Sequence, residues 1–339
     1  MRLADIDYDL PERLIAQEPI EPRDHARLLI DRGRDHRDHR HVYDVVDEFA
    51  PGDVMVVNHT RVMHARLRLV RSTGGGVEVL MLRQRDGSTS WEALVRPGGK
   101  VKPGEILSTD SGEAIVRMVG RAADGDSFVL EPLVDDIVST MRMIGEAPLP
   151  PYITTRLEDA SRYQTVYAHD ERSAAAPTAG LHFTPTLLDS IRARGVTIAE
   201  VELVVGLDTF KPVTAEDPRD HVIHTERFRV PSEVLEVCRA AHRGGNRVVA
   251  VGTTAARALE SAAGFDRTEG DTALFITPGY EWKVVDRLLT NFHMPRTTLL
   301  LMISSFVGAR WRDIYADAIA RDYRFLSFGD AMLLDRHAS

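Results

Sequence analysis

VVAVGTTAARALE, residues 248–260, is the stretch that decides the fold. A short apolar run reads as a buried strand, Gly-Thr-Thr as a turn, and the alanine-rich remainder as a helix capped by Thr254. A strand that ends in small polar residues at a helix N-terminus suits anions and nucleotides in α/β proteins. The turn lacks the glycine spacing of the P-loop and dinucleotide motifs. Gly252, Thr253 and Thr254 are therefore candidate ligand-binding residues without a pre-assigned ligand. Arg257 joins them from the helix, where a local ion pair with Glu260 is its simplest structural reading.

Working outward, strand and helix alternate from about residue 165 onward. The pattern predicts helices over 185–194, 233–242, from Thr298 and near 311–320, with Thr184 and Ser232 as caps. Strands are expected at 197–205, 247–251, LFIT (274–277), VVDRLL (284–289) and RFLSF (324–328). Upstream, RLLID (27–31) and VMVV (54–57) read as strands, and PERLIAQ (11–17) and residues 42–49 as helices. Between residue 66 and about 130 the texture changes to short β-rich runs, ARLRLV, VEVLML, SWEALV, AIVRMV and SFVLEP, separated by Gly- and Pro-rich turns. The expected fold is a larger discontinuous α/β domain, residues 1–61 and 149–339, carrying an inserted small all-β, barrel-like domain at 62–148. GEAPLPPYI (145–153) is the return linker.

Composition sets limits on function. The 339 residues carry a net charge of −9, which argues against a surface coated for nucleic acid but leaves room for a local basic patch. Arg61, Arg66, Arg68 and Arg71 form one candidate patch; Arg83, Arg85, Arg96, Lys100 and Lys102 form another. A single cysteine, Cys238, excludes an intrachain disulfide and suits a reducing compartment. The N-terminus is charged from the start and the longest apolar run is short, so a cytoplasmic protein away from the membrane is expected, with a monomer as the simplest state.

Several clusters can carry chemistry. AAAPTAGLHF (174–183) is a small-residue turn running into a capped helix, either an active-site floor or a tight packing turn. Pro177, Thr178 and Gly180 supply close backbone approach there, and His182 a group that moves protons near neutral pH. NFHMP (291–295) offers Asn291 to read a polar edge, Phe292 to stack and His293 to exchange protons, or else forms an interior turn. Tyr163 and Gln164, in YQTVY, either line a pocket or belong to a plain strand. In HVIHTE (221–226), a strand would bring His224 and Glu226 to one face. A hydrogen-bonded His–Glu pair is favoured over a metal site, because the helical two-histidine zinc spacing is missing. His36, His39 and His41 read as a solvated hairpin tip.

Taken together, these motifs resemble the S-adenosylmethionine:tRNA ribosyltransferase-isomerase family of queuosine biosynthesis. The similarity runs through YDLPERLIAQEPIEPRDHARLL, PGDVMVVNHTRVMHARL, PLPPYI, RYQTVYA, AAAPTAGLHF, HVIHTE, VGTTAARALES, PGYEWKVVDRLLTNFHMP, TTLLLMISSF and YRFLSFGDAMLL, in order and over nearly the whole chain. The resemblance implies an α/β domain with an inserted β-barrel. It also implies transfer and isomerisation of the ribosyl group of S-adenosylmethionine to 7-aminomethyl-7-deazaguanine in tRNA. Epoxyqueuosine forms, and adenine and methionine leave. S-adenosylmethionine is then a consumed substrate, and neither cofactor nor metal is implied. The sulfonium acidifies the adjacent C5′ hydrogens, so His182 and His293 are candidate bases. Glu226 and Phe292 suit the cationic sulfur, and Thr253 and Thr254 the methionine carboxylate. Arg61, in the NHTR run, is a further candidate substrate contact. Against the family pattern, Val204 stands where a histidine is usual, Asp208 where a glycine is, His59 where an asparagine is and Thr277 where a tyrosine is. A relative with a small-molecule amine acceptor, or a tRNA-binding protein without turnover, are the rival readings.

Overall fold

The computed structural model describes residues 1–33, 36–85, 87–122, 125, 127–205, 215–218, 221, 223 and 225–337. Two compact units emerge, each considered by itself: Met1–Thr60, Pro150–Asp170 and Ala176–Ser339 in the larger, Arg61–Leu149 and Glu171–Ala175 in the smaller.

In chain order the strands begin with β1 (Arg27–Asp31), β2 (Arg37–His41), β3 (Val54–Asn58) and β4 (Thr60–Val62). The smaller unit then contributes β5 (Arg66–Arg71), β6 (Gly76–Gln84), β7 (Trp91–Arg96), β8 (Ile106–Ser108), β9 (Ala114–Arg121), β10 (Phe128–Pro132) and helix α1 (Ile137–Ile144). The chain continues through β11 (Asp170–Ser173), α2 (Pro185–Ala193), β12 (Thr197–Leu203), β13 (Glu226–Arg229) and α3 (Ser232–Arg243). It ends with β14 (Val248–Val251), α4 (Thr253–Phe265), β15 (Glu269–Thr272), β16 (Arg287–Asn291), α5 (Thr298–Val307), α6 (Trp311–Ala320) and β17 (Ala331–Asp335).

The larger unit is built on one nine-stranded mixed sheet, ordered β15-β13-β12-β3-β14-β16-β17-β1-β2. Its centre, β12-β3-β14-β16, is parallel, and β17 runs antiparallel beside β16. Residues 54–57 of β3 and 248–251 of β14 are apolar runs because both faces are covered. On one face Met55, Val57, Val249, Val251 and Leu289 pack with Leu187, Leu188 and Ile191 of α2. Helix α2 starts where expected: the Thr184 hydroxyl accepts the Leu187 N–H at 3.1 Å, and Pro185 occupies the first turn.

The smaller unit closes β10-β7-β6-β5-β8-β9 into an antiparallel barrel. Leu67 and Leu69, Val77, Val79 and Met81, and Trp91, Ala93 and Val95 alternate inward and fill it. The first candidate basic patch is matched by acidic groups. Arg61, Arg66, Arg68 and Arg71 each pair with a carboxylate, at 3.4 Å to Glu171, 3.9 Å to Glu78, 3.2 Å to Glu146 and 3.0 Å to Glu105.

Other expectations needed correction. PERLIAQ forms only a 3-10 turn at Glu12–Leu14, and Val42–Glu48 is a 3-10 rather than an α-helix. RFLSF is not a strand: Leu326 has φ 72°, and the strand follows at Ala331–Asp335. LFIT is irregular, and the polar EGDT before it supplies β15. The predicted hairpin tip is largely strand β2, where His39 bonds the Tyr323 hydroxyl at 2.8 Å. YQTVY forms turns, not a strand.

Candidate active site

The parallel strands β12, β3, β14 and β16 all run toward one end of the sheet, the end at which open α/β sheets bind ligands. The chain leaves β14 through Gly252 at φ 89°, a conformation that favours glycine. Gly252 is the N-cap of α4, so Thr254 lies inside the helix rather than capping it. The Thr254 hydroxyl oxygen is buried there without a hydrogen-bond partner. Two clefts meet at this point and share Thr253, Thr254 and Leu299.

The first cavity is lined by Pro177 and Thr178, by Val205, by residues 290–294, and by Tyr152 and Ser327. Its polar wall is a connected chain. The Thr178 hydroxyl donates to Asn291 Oδ1 at 3.1 Å, which fixes the amide so that Nδ2 donates to His182 Nε2 at 3.2 Å. His182 also has a backbone hydrogen bond with Arg23. Burial lowers its pKa to about 4, so the ring is neutral and its acceptor nitrogen is engaged by Asn291. His293 borders the cavity itself. Its Nε2 meets the Thr290 hydroxyl at 3.1 Å, its backbone N–H donates to the Tyr315 hydroxyl oxygen at 3.1 Å, and its carbonyl accepts from Tyr8. Burial lowers the His293 pKa to about 3, so this ring too is neutral. Tyr152 and Ser327 complete the wall, their hydroxyls 2.7 Å apart, and burial pushes the Tyr152 phenol up to about 12.

The second cavity differs in kind. Leu203, Ile223, Leu274, Phe275, Ile276 and Met302 give it apolar walls, while Glu226, Arg257 and His221 give it charge and a ring nitrogen. Arg257 Nη1 donates to Glu226 Oε2 at 2.5 Å, with both side chains more than nine-tenths buried. Arg257 Nη2 also donates to the Thr272 carbonyl at 3.3 Å. Burial lowers the Arg257 pKa, and the Glu226 charge opposes that shift.

The cavities thus gather Pro177, Thr178, Gly252, Thr253, Thr254, Asn291, Phe292 and His293 in the first, and Glu226, Arg257, Thr253 and Thr254 in the second. Other sequence expectations fall differently. His182 stands behind Asn291 and does not line either cavity. Phe292 borders the first cavity, but its ring is fully buried against Tyr315, Tyr323 and Phe325, so it has no open face for stacking. Gly180 is needed for packing: a Cβ there would sit 1.9 Å from the Tyr167 hydroxyl oxygen. Tyr163 is fully buried edge-on to Phe328, 5.9 Å between rings, and the Gln164 carbonyl accepts from Arg23. Arg61 belongs to the smaller unit, paired with Glu171.

The anticipated Arg257–Glu260 pair does not form. Glu260 instead turns its fully buried carboxylate to the N–H groups of Lys283, Val284 and Val285 and the Tyr280 hydroxyl. His224 lies outside the described residues, as does Asp208; Glu226 has Arg257 as its partner. Among the described residues, no three His, Cys, Asp or Glu side chains are grouped to hold a metal. Of the departures from the family pattern, His59 stacks on His169 with ring centroids 4.2 Å apart, and neither Val204 nor Thr277 lines either of these two cavities. Thr290, Tyr152 and Ser327 are not singled out by the sequence, although each lies inside a motif that carries the family resemblance, PGYEWKVVDRLLTNFHMP, PLPPYI and YRFLSFGDAMLL.

Comparison with known proteins gives one answer over the whole chain. The family model described as "Queuosine biosynthesis protein" matches residues 3–334. The S-adenosylmethionine:tRNA ribosyltransferase-isomerase of Symbiobacterium thermophilum is 47% identical, over 98% of this chain and 100% of the relative. The protein of the same name from Moorella thermoacetica is also 47% identical, with the same coverage. The crystal structure of the S-adenosylmethionine tRNA ribosyltransferase from Thermotoga maritima is 36% identical, covers 97% of this chain and 99% of its own, and superposes with a TM-score of 0.55. With its barrel, its mixed sheet and full-length similarity of this order, the chain belongs to the queuosine biosynthesis family of S-adenosylmethionine:tRNA ribosyltransferase-isomerases.

Proposed function

We propose that this protein carries out the reaction of its family. The ribosyl group of S-adenosylmethionine is transferred to the aminomethyl group of 7-aminomethyl-7-deazaguanine in tRNA and isomerised, giving epoxyqueuosine, adenine and methionine. The observation that carries this reading is the cavity at the carboxyl ends of β14 and β16, where Asn291, His293, Thr290 and Thr178 converge beside the start of α4. S-adenosylmethionine is consumed as a substrate, and no cofactor enters the scheme. A cytoplasmic location, with a monomer as the favoured state, belongs to the same proposal. Among the described residues no helix is long and apolar enough to cross a membrane.

The chemistry assigns different tasks to the two histidines. His293 borders the cavity with a neutral ring and is the proposed acceptor of the C5′ proton; its lowered pKa makes it a weak base, so the adjacent sulfonium must supply the acidity that drives the transfer. The Thr290 hydroxyl, 3.1 Å from Nε2, holds that ring in place. His182 is a positioning residue. It fixes the Asn291 amide, which in turn presents a polar edge to the departing adenine or the incoming base.

The test is adenine release from S-adenosylmethionine, followed with tRNA that does or does not carry the aminomethyl base. Release that requires the modified tRNA is the expected result. Release with a free amine and no tRNA would replace tRNA by a small acceptor, and tight tRNA binding without adenine release would leave a binding protein only. Affinity for tRNA should fall with rising salt, because phosphate contacts release counterions.

A further inference from the structure

We propose that the second cavity is the subsite for the α-amino acid end of S-adenosylmethionine. This rests on the reading above that S-adenosylmethionine is the substrate. The methionyl half is an unusual ligand: a zwitterion at one end of a short methylene chain that ends in a cationic sulfonium. It needs an anion, a cation or helix N-terminus, and an apolar passage between them.

The cavity holds all three. Glu226 is the anion for the α-ammonium. Arg257 and the first turn of α4 favour the α-carboxylate, the helix through its N-terminal N–H groups and macrodipole. The Thr254 hydroxyl, buried without a partner at the junction of the two cavities, adds a donor. Leu274, Phe275 and Met302 line the passage for the methylenes. Because Thr253, Thr254 and Leu299 border both cavities, the sulfonium sits at their junction and the ribose and adenine lie in the first cavity with Asn291 and His293. The Glu226–Arg257 ion pair holds both charges in place before ligand arrives. Glu226 is then a specificity residue for the amino acid, set apart from the atoms that react.

The test uses direct binding to the wild-type chain and two variants, measured by calorimetry. The ligands are L-methionine, methionine lacking its amino group, and methionine lacking its carboxylate. L-Methionine should bind the wild type. Glu226→Gln should weaken it about tenfold or more, the cost of losing a hydrogen bond to a charged group, while the analogue without an amino group binds variant and wild type alike. Thr254→Val should weaken L-methionine but leave the analogue without a carboxylate unchanged. Circular dichroism establishes that each variant is folded; if Glu226→Gln does not fold, Thr254→Val decides alone. No binding of L-methionine to the wild type, or folded variants that bind it as the wild type does, would overturn the proposal.

The wider functional reading is separable by the adenine assay. Adenine release from modified tRNA, with methionine binding insensitive to both variants, removes the subsite and keeps the reaction. Methionine binding that follows the predicted pattern without any adenine release keeps the subsite and removes the reaction.

Discussion

The two ends of the central sheet are built on opposite principles, although the same strands supply both. Where β3, β14 and β16 begin, the polar groups are charged and closed on one another. Asp53 accepts the N–H groups of Ala50 and Arg247 and pairs with the Arg247 guanidinium at 2.7 Å. Arg287 lies between Glu48, at 3.1 Å, and Asp335, at 2.5 Å, and Arg32 reaches Glu48 at 2.6 Å. Burial would raise the Glu48 carboxyl, but the guanidinium groups of Arg32 and Arg287 outweigh it and hold it at about 2. Where the strands end, the side chains bordering the first cavity are neutral: Thr178, Thr290, Asn291 and His293, with Thr254 at the junction. At the first end the charges are matched with one another and line neither cavity, whereas the neutral donors and acceptors at the second end lie on a cavity wall. On the proposed function, the first end holds the fold together and the second takes the substrate.

The comparison is broken most severely by opening the charged end. Arg287→Ala leaves Glu48 buried with part of its pairing gone, and should lower unfolding stability by about 3–5 kcal/mol in a denaturant titration. The fraction that remains folded should keep its turnover number; a matching loss of turnover would mean that the two ends are coupled. At the other end the pattern reverses. Asn291→Ala should cut kcat by about 100-fold, because the polar edge presented to substrate is lost. Its stability cost should be smaller, about 1–3 kcal/mol from leaving His182 and Thr178 without their partner.

Acid sharpens the contrast further. His182 and His293 have folded pKa values of about 4 and about 3, below the ordinary 6.5. The unfolded chain therefore binds protons at these positions that the native one does not, so stability is full above pH 6.5 and falls as the pH drops. Between pH 6.5 and 5 each ring should account for about 2 kcal/mol of that loss, since Glu48 releases its pairing only at lower pH. The double variant His182→Gln, His293→Gln should flatten the curve in this window. An unchanged slope would show that these rings are not buried in their neutral form. The smallest expected effect is at the helix that follows the first cavity's turn. Thr184→Ala removes the cap of α2 and should cost about 1 kcal/mol with little change in turnover.

The sequence made some parts of this arrangement legible and hid others for identifiable reasons. The central strands were readable because burial on both faces leaves a continuous apolar run, as in VMVV and VVAV. The barrel was readable because its strands alternate and its turns are marked by glycine. Edge strand β15, EGDT, carries no apolar pattern and was missed in favour of the greasier LFIT, whose Phe275 and Ile276 line a cavity instead. RFLSF misled in the same way: Phe325 and Phe328 are buried by tertiary contacts rather than by strand alternation. In the site, Gly252 and Asn291 were legible because a turn at a strand end requires particular residues. The Arg257–Glu226 pair was not, because it joins residues on different elements and the closer Glu260 was the local choice.

The most direct test of the central claim, that chemistry belongs to the neutral end of the sheet, is the mass of the tRNA product. Wild-type protein, Asn291→Ala and Arg287→Ala would each be incubated with S-adenosylmethionine and tRNA bearing 7-aminomethyl-7-deazaguanine, with adenine and methionine quantified alongside. A ribosyl-derived mass gain, matched by adenine and methionine, is expected for wild type and for folded Arg287→Ala, and a strongly reduced gain for Asn291→Ala. Full product with Asn291→Ala, or no mass gain on the tRNA with wild type, would contradict that claim.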